Sequence, residues 1–194
     1  MRVKMPRPKT MPDEEVLVAA FALMRAEGPD GLTFAALAAS TGLSGATLVQ
    51  RFENKTKLIQ RALNQAWDGL DRQTAELVAT VPRTPEGAIA LLVGLSGDYG
   101  AIESYADDLR ILREDLRDPL LRARGAKWRD VLSGVLDECL SGLPAAAPGL
   151  GLLMASQWQG SLLWWSFDPE VPVAEFVEQS LRRFVEAFAR QPTA

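Results

Sequence analysis

No histidine occurs among the 194 residues. That excludes a Ser-His-Asp triad, a Cys-His pair, a histidine general base and a zinc site built on imidazole. Cysteine occurs once, at Cys139, which excludes an intramolecular disulfide and a thiolate metal cluster. Its setting, Val135-Leu136-Asp137-Glu138-Cys139-Leu140, makes it an expected buried small hydrophobe rather than a reactive thiol. No metal, no cofactor and no enzymatic activity are expected. A single cysteine agrees with a reducing compartment, and the N-terminus lacks an apolar signal-peptide core, so the expected location is cytoplasmic.

Long charge-free runs are also scarce. One exists, from Cys139 to Phe167, 29 residues without a formal charge. That exceeds the roughly 20 residues needed to cross a bilayer. Pro144, Pro148, Gly149 and Gly151 interrupt its first half, and Ser156, Gln157, Gln159, Ser161 and Ser166 its second. No membrane partner is expected. A helix apolar on most sides is instead expected to be covered on most sides, commonly by a partner subunit.

Net charge is −4 and the sequence pI is about 5.0, which taken alone argues against nucleic acid. The average hides an asymmetry. Residues 1–60 carry 8 Lys+Arg against 6 Asp+Glu, whereas residues 61–194 carry 13 against 19. The first twelve residues hold Arg2, Lys4, Arg7 and Lys9 with no acid, a basic end on an acidic body.

No segment shows sustained period-2 alternation and no Asn-Gly or Asp-Gly hairpin turn separates apolar runs, so the expected fold class is all-α. Helices are expected from Asp13, as N-cap, to Glu27, with Gly28-Pro29 as the stop; from Thr33 to Thr41; from Ser44 to about Arg51; and from Asn54 to the break at Pro82. Five more follow at about 86–100, 103–116, 119–141, 149–166 and 173–190. The expected organisation is a basic arm over 1–12, a three-helix helix-turn-helix domain over 13–53, and a dimeric bundle of about six helices over 54–194. The Gly94, Gly97, Gly100 series matches no cofactor loop and reads as a small-residue helical face or a bend.

The stretch Thr33–Leu58 carries the most information. Two short helices joined by a turn containing Gly42, the second opened by Ser44, have helix-turn-helix geometry. Phe34, Leu37, Leu48 and Phe52 can lock the pair and leave the start of the second helix free to enter a major groove. An ordinary αα-corner uses the same spacing. Two details favour the groove. The outward positions Gly45, Ala46, Thr47, Gln50 and Arg51 are small or hydrogen-bonding and never acidic, and Lys55 and Lys57 occupy a first helical turn, where the macrodipole disfavours cations.

Residues 13–58 resemble the DNA-binding domain of the TetR (tetracycline-repressor-like) transcriptional regulators. The match runs through Thr33-Phe34, Leu37-Ala38, Gly42-Leu43-Ser44, Leu48, Phe52, Lys55 and Leu58. It departs where the usual glycine two residues after the serine is shifted to give Gly45-Ala46, where Val49 replaces a tyrosine, and where Arg51 replaces an aromatic or histidine. The resemblance implies phosphate contacts at Thr33 and Lys55, and backbone register set by Ser44, Thr47 and Arg51. It places Gly45, Ala46, Thr47 and Gln50 at base edges. It further implies a repressor binding palindromic double-stranded DNA as a homodimer and released by a small-molecule effector.

In the C-terminal part, Trp67, Tyr99, Tyr105, Trp128, Met154, Gln157 and Trp158 are the candidate lining of a pocket for an apolar or aromatic effector. Leu162 and Trp165, with the stripe Phe176, Leu181, Phe184 and Phe188, are candidates for a four-helix dimer interface. Aromatics at helical spacing also serve as plain core. A helical protein-interaction module is the reading that competes with the regulator.

Overall fold

The computed structural model describes residues 11–97 and 102–190. Among these residues it is all-helical, with nine helices: α1 (Asp13–Gly31), α2 (Phe34–Thr41), α3 (Gly45–Phe52), α4 (Lys55–Thr80), α5 (Pro85–Leu95), α6 (Ile102–Arg117), α7 (Pro119–Leu140), α8 (Leu150–Trp165) and α9 (Val173–Ala189). The expected helices are therefore present, with local differences. Asp13 is not the N-cap of α1; Pro12 holds that position, and the Asp13 carboxylate turns to Arg51 and Arg61 instead. Gly28 breaks α1 at φ 78°, as expected of glycine, but one further turn carrying Pro29 follows before the chain leaves at Leu32. The helix expected to reach residue 100 ends at Leu95. Gly94 lets α5 approach Leu77, the close approach expected of a small residue, and Gly97 takes φ 70° just past the helix end. Gly100 lies outside the described residues, as does the arm over 1–10.

The chain forms two compact units. The first gathers the chain up to Asp68 together with Asp107–Arg122. Its core is built on Val16, Ala20 and Met24 of α1, Leu37 of α2, Leu48 and Phe52 of α3, and Leu58, Ala62 and Leu63 of α4, all buried. Each such Leu contributes roughly 1.5–3 kcal/mol by leaving water. Packing thus places the first turns of α4 in this first unit. Leu58, Ala62 and Leu63 fall on one face of α4 and bury there, so the three-helix domain cannot close without them. The chain from 107 to 122 adds Ile111 and Leu121 to the same core and ties it with polar contacts. Arg25 pairs with Asp108 at 2.8 Å, Gln60 donates to Asp118 at 2.5 Å, and Arg110 covers the space where a Cβ on Gly28 would fall.

The second unit gathers Gly69–Ala106 and the chain from Ala123 onward. Here α9 packs against α8 and α5. The buried core runs through Leu91, Leu92, Leu132, Leu136, Met154, Trp158, Val177 and Leu181. Cys139 is buried within it, and burial pushes its thiol up in pKa, as expected of a small core residue. Gly151 is where α8 meets α7. A Cβ there would come within 2.2 Å of the Ser133 carbonyl, and its N–H donates to Asp137 at 2.7 Å. No described helix is long and apolar enough to cross a membrane.

Candidate nucleic-acid interface

The turn between α2 and α3 is built from its caps. Thr33 accepts from the Ala36 N–H at 3.0 Å and so opens α2; Gly42 closes it at φ 72°, sending its N–H back to Ala38. Ser44 opens α3 by accepting from the Thr47 N–H at 3.1 Å, while the Ser44 and Thr47 hydroxyls bond each other at 2.8 Å. Buried Thr41 donates to Leu37 at 2.6 Å, which fixes the end of α2 from inside. With Leu48 and Phe52 buried behind it, α3 turns outward Ala46, Val49 and Gln50, three positions on one face at i, i+3, i+4. Gly45 and Thr47 are half-buried beside them. A Cβ on Gly45 would meet nothing within 4 Å, so α3 begins beside open space.

Val49, 46% exposed, joins this face although the sequence reading leaves it out of the base-facing set. Its i+3 spacing from Ala46 carries the signal, but set beside the family's tyrosine it stands out only as a missing hydroxyl. An exposed isopropyl between Ala46 and Gln50 offers an apolar contact of the kind a thymine methyl accepts.

Arg51 does not join that face. Its guanidinium donates to the Met11 carbonyl at 2.6 Å and lies 3.5 Å from Asp13, which Arg61 also binds, at 2.8 Å. Arg61 in turn stacks over the Phe52 ring at 4.7 Å. Lys55 and Lys57 find partners within the fold as well. Lys55 donates to the Asp30 carbonyl at 3.1 Å, at the C-terminal end of α1 where a cation is favoured, and Lys57 pairs with Glu53 one turn before it. Their position in the first turn of α4 is thus compensated internally, and no phosphate is required to hold them there. Asn54 caps α4 through the Lys57 N–H at 2.9 Å.

The effector candidates separate. Trp67 belongs to the first unit, where its indole donates to Asp115 at 3.1 Å. Burial pushes the Asp115 carboxyl above its ordinary range despite that bond. Tyr105, Met154 and Trp158 are buried in the core of the second unit, and Gln157 is exposed and donates to Ser180 at 2.8 Å. Tyr99 lies outside the described residues. The aromatic cluster is therefore packed, with the Trp158 indole donating to buried Ser96 at 2.9 Å. Trp128 borders a cavity of about 410 Å³ between α4 and α7.

The interface candidates divide by burial. Leu162, Trp165 and Leu181 are buried within the chain, and Phe176, Phe184 and Phe188 are half-buried against the same core. Exposed instead are Leu153, Leu163, Trp164 and, past the helix end, Phe167, on the outward side of α8 with Gly160 between them. Both faces of this helix are apolar, so its sequence could not say which one the rest of the chain covers.

A three-helix core with an exposed, acid-free helix after a glycine turn has helix-turn-helix geometry. Residues 16–62 match the family of bacterial regulatory proteins, tetR family. Whole-chain likeness to solved structures agrees in fold. A transcriptional regulator from Rhodococcus sp. Rha1 is 18% identical, with 92% of this chain and 96% of that chain covered at a TM-score of 0.73. A transcriptional regulator from Saccharomonospora viridis in complex with choline is 19% identical, covering 90% and 95% at 0.71. The TetR family regulator PfmR from Thermus thermophilus is 17% identical, covering 88% and 97% at 0.64. No curated protein matches the chain.

Proposed function

We propose that the chain is a transcriptional regulator of the tetR family, a ligand-relieved repressor that binds a palindromic operator as a homodimer. The observation that carries the reading is the outward triad Ala46, Val49 and Gln50, held rigidly by the buried Leu48 and Phe52. Gln50 pairs with adenine, and Ala46 and Val49 pack against thymine methyls. Thr33, Ser44, Thr47 and Lys55 reach phosphates, Lys55 keeping two ammonium protons beyond its bond to Asp30. Gly45 lets the backbone come close to DNA. Arg51 acts from behind by holding the entry to α1.

The dimer forms through the exposed side of α8, where Gly160 permits close approach and Leu153 and Trp164 supply apolar contact. Effector binding in the second unit reaches the first through α4, α6 and α7, each of which contributes residues to both units. The choline held by the Saccharomonospora relative supports a small-molecule effector as the input, without fixing its chemistry. The test is selection of bound DNA from a random pool. A palindromic consensus supports the reading; recovery of no sequence above background at low salt refutes it.

A further inference from the structure

The cavity between α4 and α7 has a distinctive chemistry. Its walls are apolar, formed by Ala75 and Val78 of α4 and by Val131 and Val135 of α7, with Trp128 at one side. The Trp128 indole is fixed by donating to Thr74 at 3.0 Å. At about 410 Å³ it falls within the roughly 300–1,000 Å³ of small-molecule sites. Its charged lining is lopsided: Arg83, Arg124 and Lys127 against a single acid, Asp71. Asp71 is already paired with Arg124 at 2.6 Å, and Arg83 is held by Glu138 at 3.0 Å. Lys127 makes no ion pair or hydrogen bond among the described residues.

From this arrangement we infer that the α4–α7 cavity binds an amphipathic anion, its apolar body along Ala75, Val78, Val131 and Val135 and its charged head at Lys127. A quaternary ammonium is disfavoured, because a cation cage needs several aromatic faces and here Trp128 stands alone among three cations. That the anion is the effector rests on the regulator reading above; the binding site itself rests only on the cavity.

Decanoate, decanol and decyltrimethylammonium, each below its micellar concentration, are the probes, followed by calorimetry and Trp fluorescence. Decanoate should bind saturably and tighter than decanol by about threefold or more, the size of a partly exposed charge contact, and the ammonium should bind weakest. Lys127→Gln should bring decanoate down to the affinity of decanol. Ala75→Trp, at an exposed position, should fill the cavity and abolish binding of both. Equal affinity for decanoate and decanol, no saturable decanoate binding, or decanoate binding unchanged in Lys127→Gln would overturn the inference. Operator binding by both variants is measured in parallel. Decanoate binding in a protein that binds no DNA would sink the regulator reading and leave the site standing; DNA binding that decanoate does not weaken would sink the effector role.

Discussion

Arg51 ends its side chain on the Met11 carbonyl, 2.6 Å away, forty residues earlier in the sequence. One residue of α3 thereby pins the point where the chain enters α1. With Asp13 and Arg61 it forms a cluster that fixes α1, α3 and α4 together. Arginine suits this work because its fork can serve a carbonyl and a carboxylate at once.

Arg51→Ala should therefore weaken DNA binding alike for all sequences and lower stability by about 1 kcal/mol, mainly through the partly buried bond to Met11. Denaturant midpoints and titrations against the best site and its single-base variants check both. A loss confined to one base position would instead make Arg51 a base reader.

Gln50→Ala should behave oppositely. It should leave stability unchanged, cost about 1–3 kcal/mol on the best site, and relax preference at one position per half-site. If Lys55 reaches a phosphate, Lys55→Gln should instead lower the magnitude of the log–log salt slope by about 0.9. Uniform loss across sequences for Gln50→Ala would demote it to a positioning role.

The helices are legible in the sequence because their caps and stops are local. Ser44, Gly42 and Asn54 announce their positions by residue type alone. The core face of α3 is legible for the same reason, its apolar residues falling on one side. What periodicity does not carry is long-range choice. Nothing near Arg51 in sequence points to Met11, and nothing near Trp67 points to Asp115. In α8 both sides are apolar, so periodicity offers Leu162 and Trp165 as readily for the outer surface as Leu153 and Trp164, which occupy it. The cavity likewise depends on which faces of α4 and α7 meet, and its cations Arg83, Arg124 and Lys127 look like ordinary surface charge along the chain.

Trp164 is 68% exposed, so Trp164→Glu should not disturb the protomer fold. If α8 forms the dimer contact, the variant should sediment as a monomer and bind a palindromic site far more weakly, while retaining weak binding to a half-site. An unchanged mass in sedimentation would place the interface elsewhere.

Glu53 takes φ 62° and ψ −61° between α3 and α4, and the Asn54 N–H reaches back to Phe52 at 2.7 Å. This is a γ-turn with positive φ, strained for any residue but glycine. Glu53→Gly should stabilise the first unit by about 1 kcal/mol, less a few tenths for the exposed pair with Lys57. Glu53→Ala keeps the strain and loses the pair, so it should stabilise nothing. Equal midpoints for the two variants would show that the turn carries no strain.

Asp115 supplies a pH signature. Burial, the largest influence, raises its carboxyl; the Trp67 indole lowers it, and Asp118 and Glu114 raise it further. A carboxyl raised in the folded state holds its proton more tightly there than when unfolded. Its stabilising contribution is complete below the ordinary carboxylate range and is lost as pH rises through the folded value. Asp118 has the reverse sign. The bond from Gln60 lowers its carboxyl, so its contribution is present at neutral pH and lost on acidification. Asp115→Asn keeps an acceptor for Trp67 and removes only the first effect. The variant should be more stable than the parent at neutral pH, by about 1 kcal/mol or less at this half-exposed site. The gap should close as pH falls into the carboxylate range, where the parent also becomes neutral at this position. Thermal unfolding across that range checks the sign, and a variant less stable than the parent at neutral pH would show that the charged bond to Trp67 outweighs the burial.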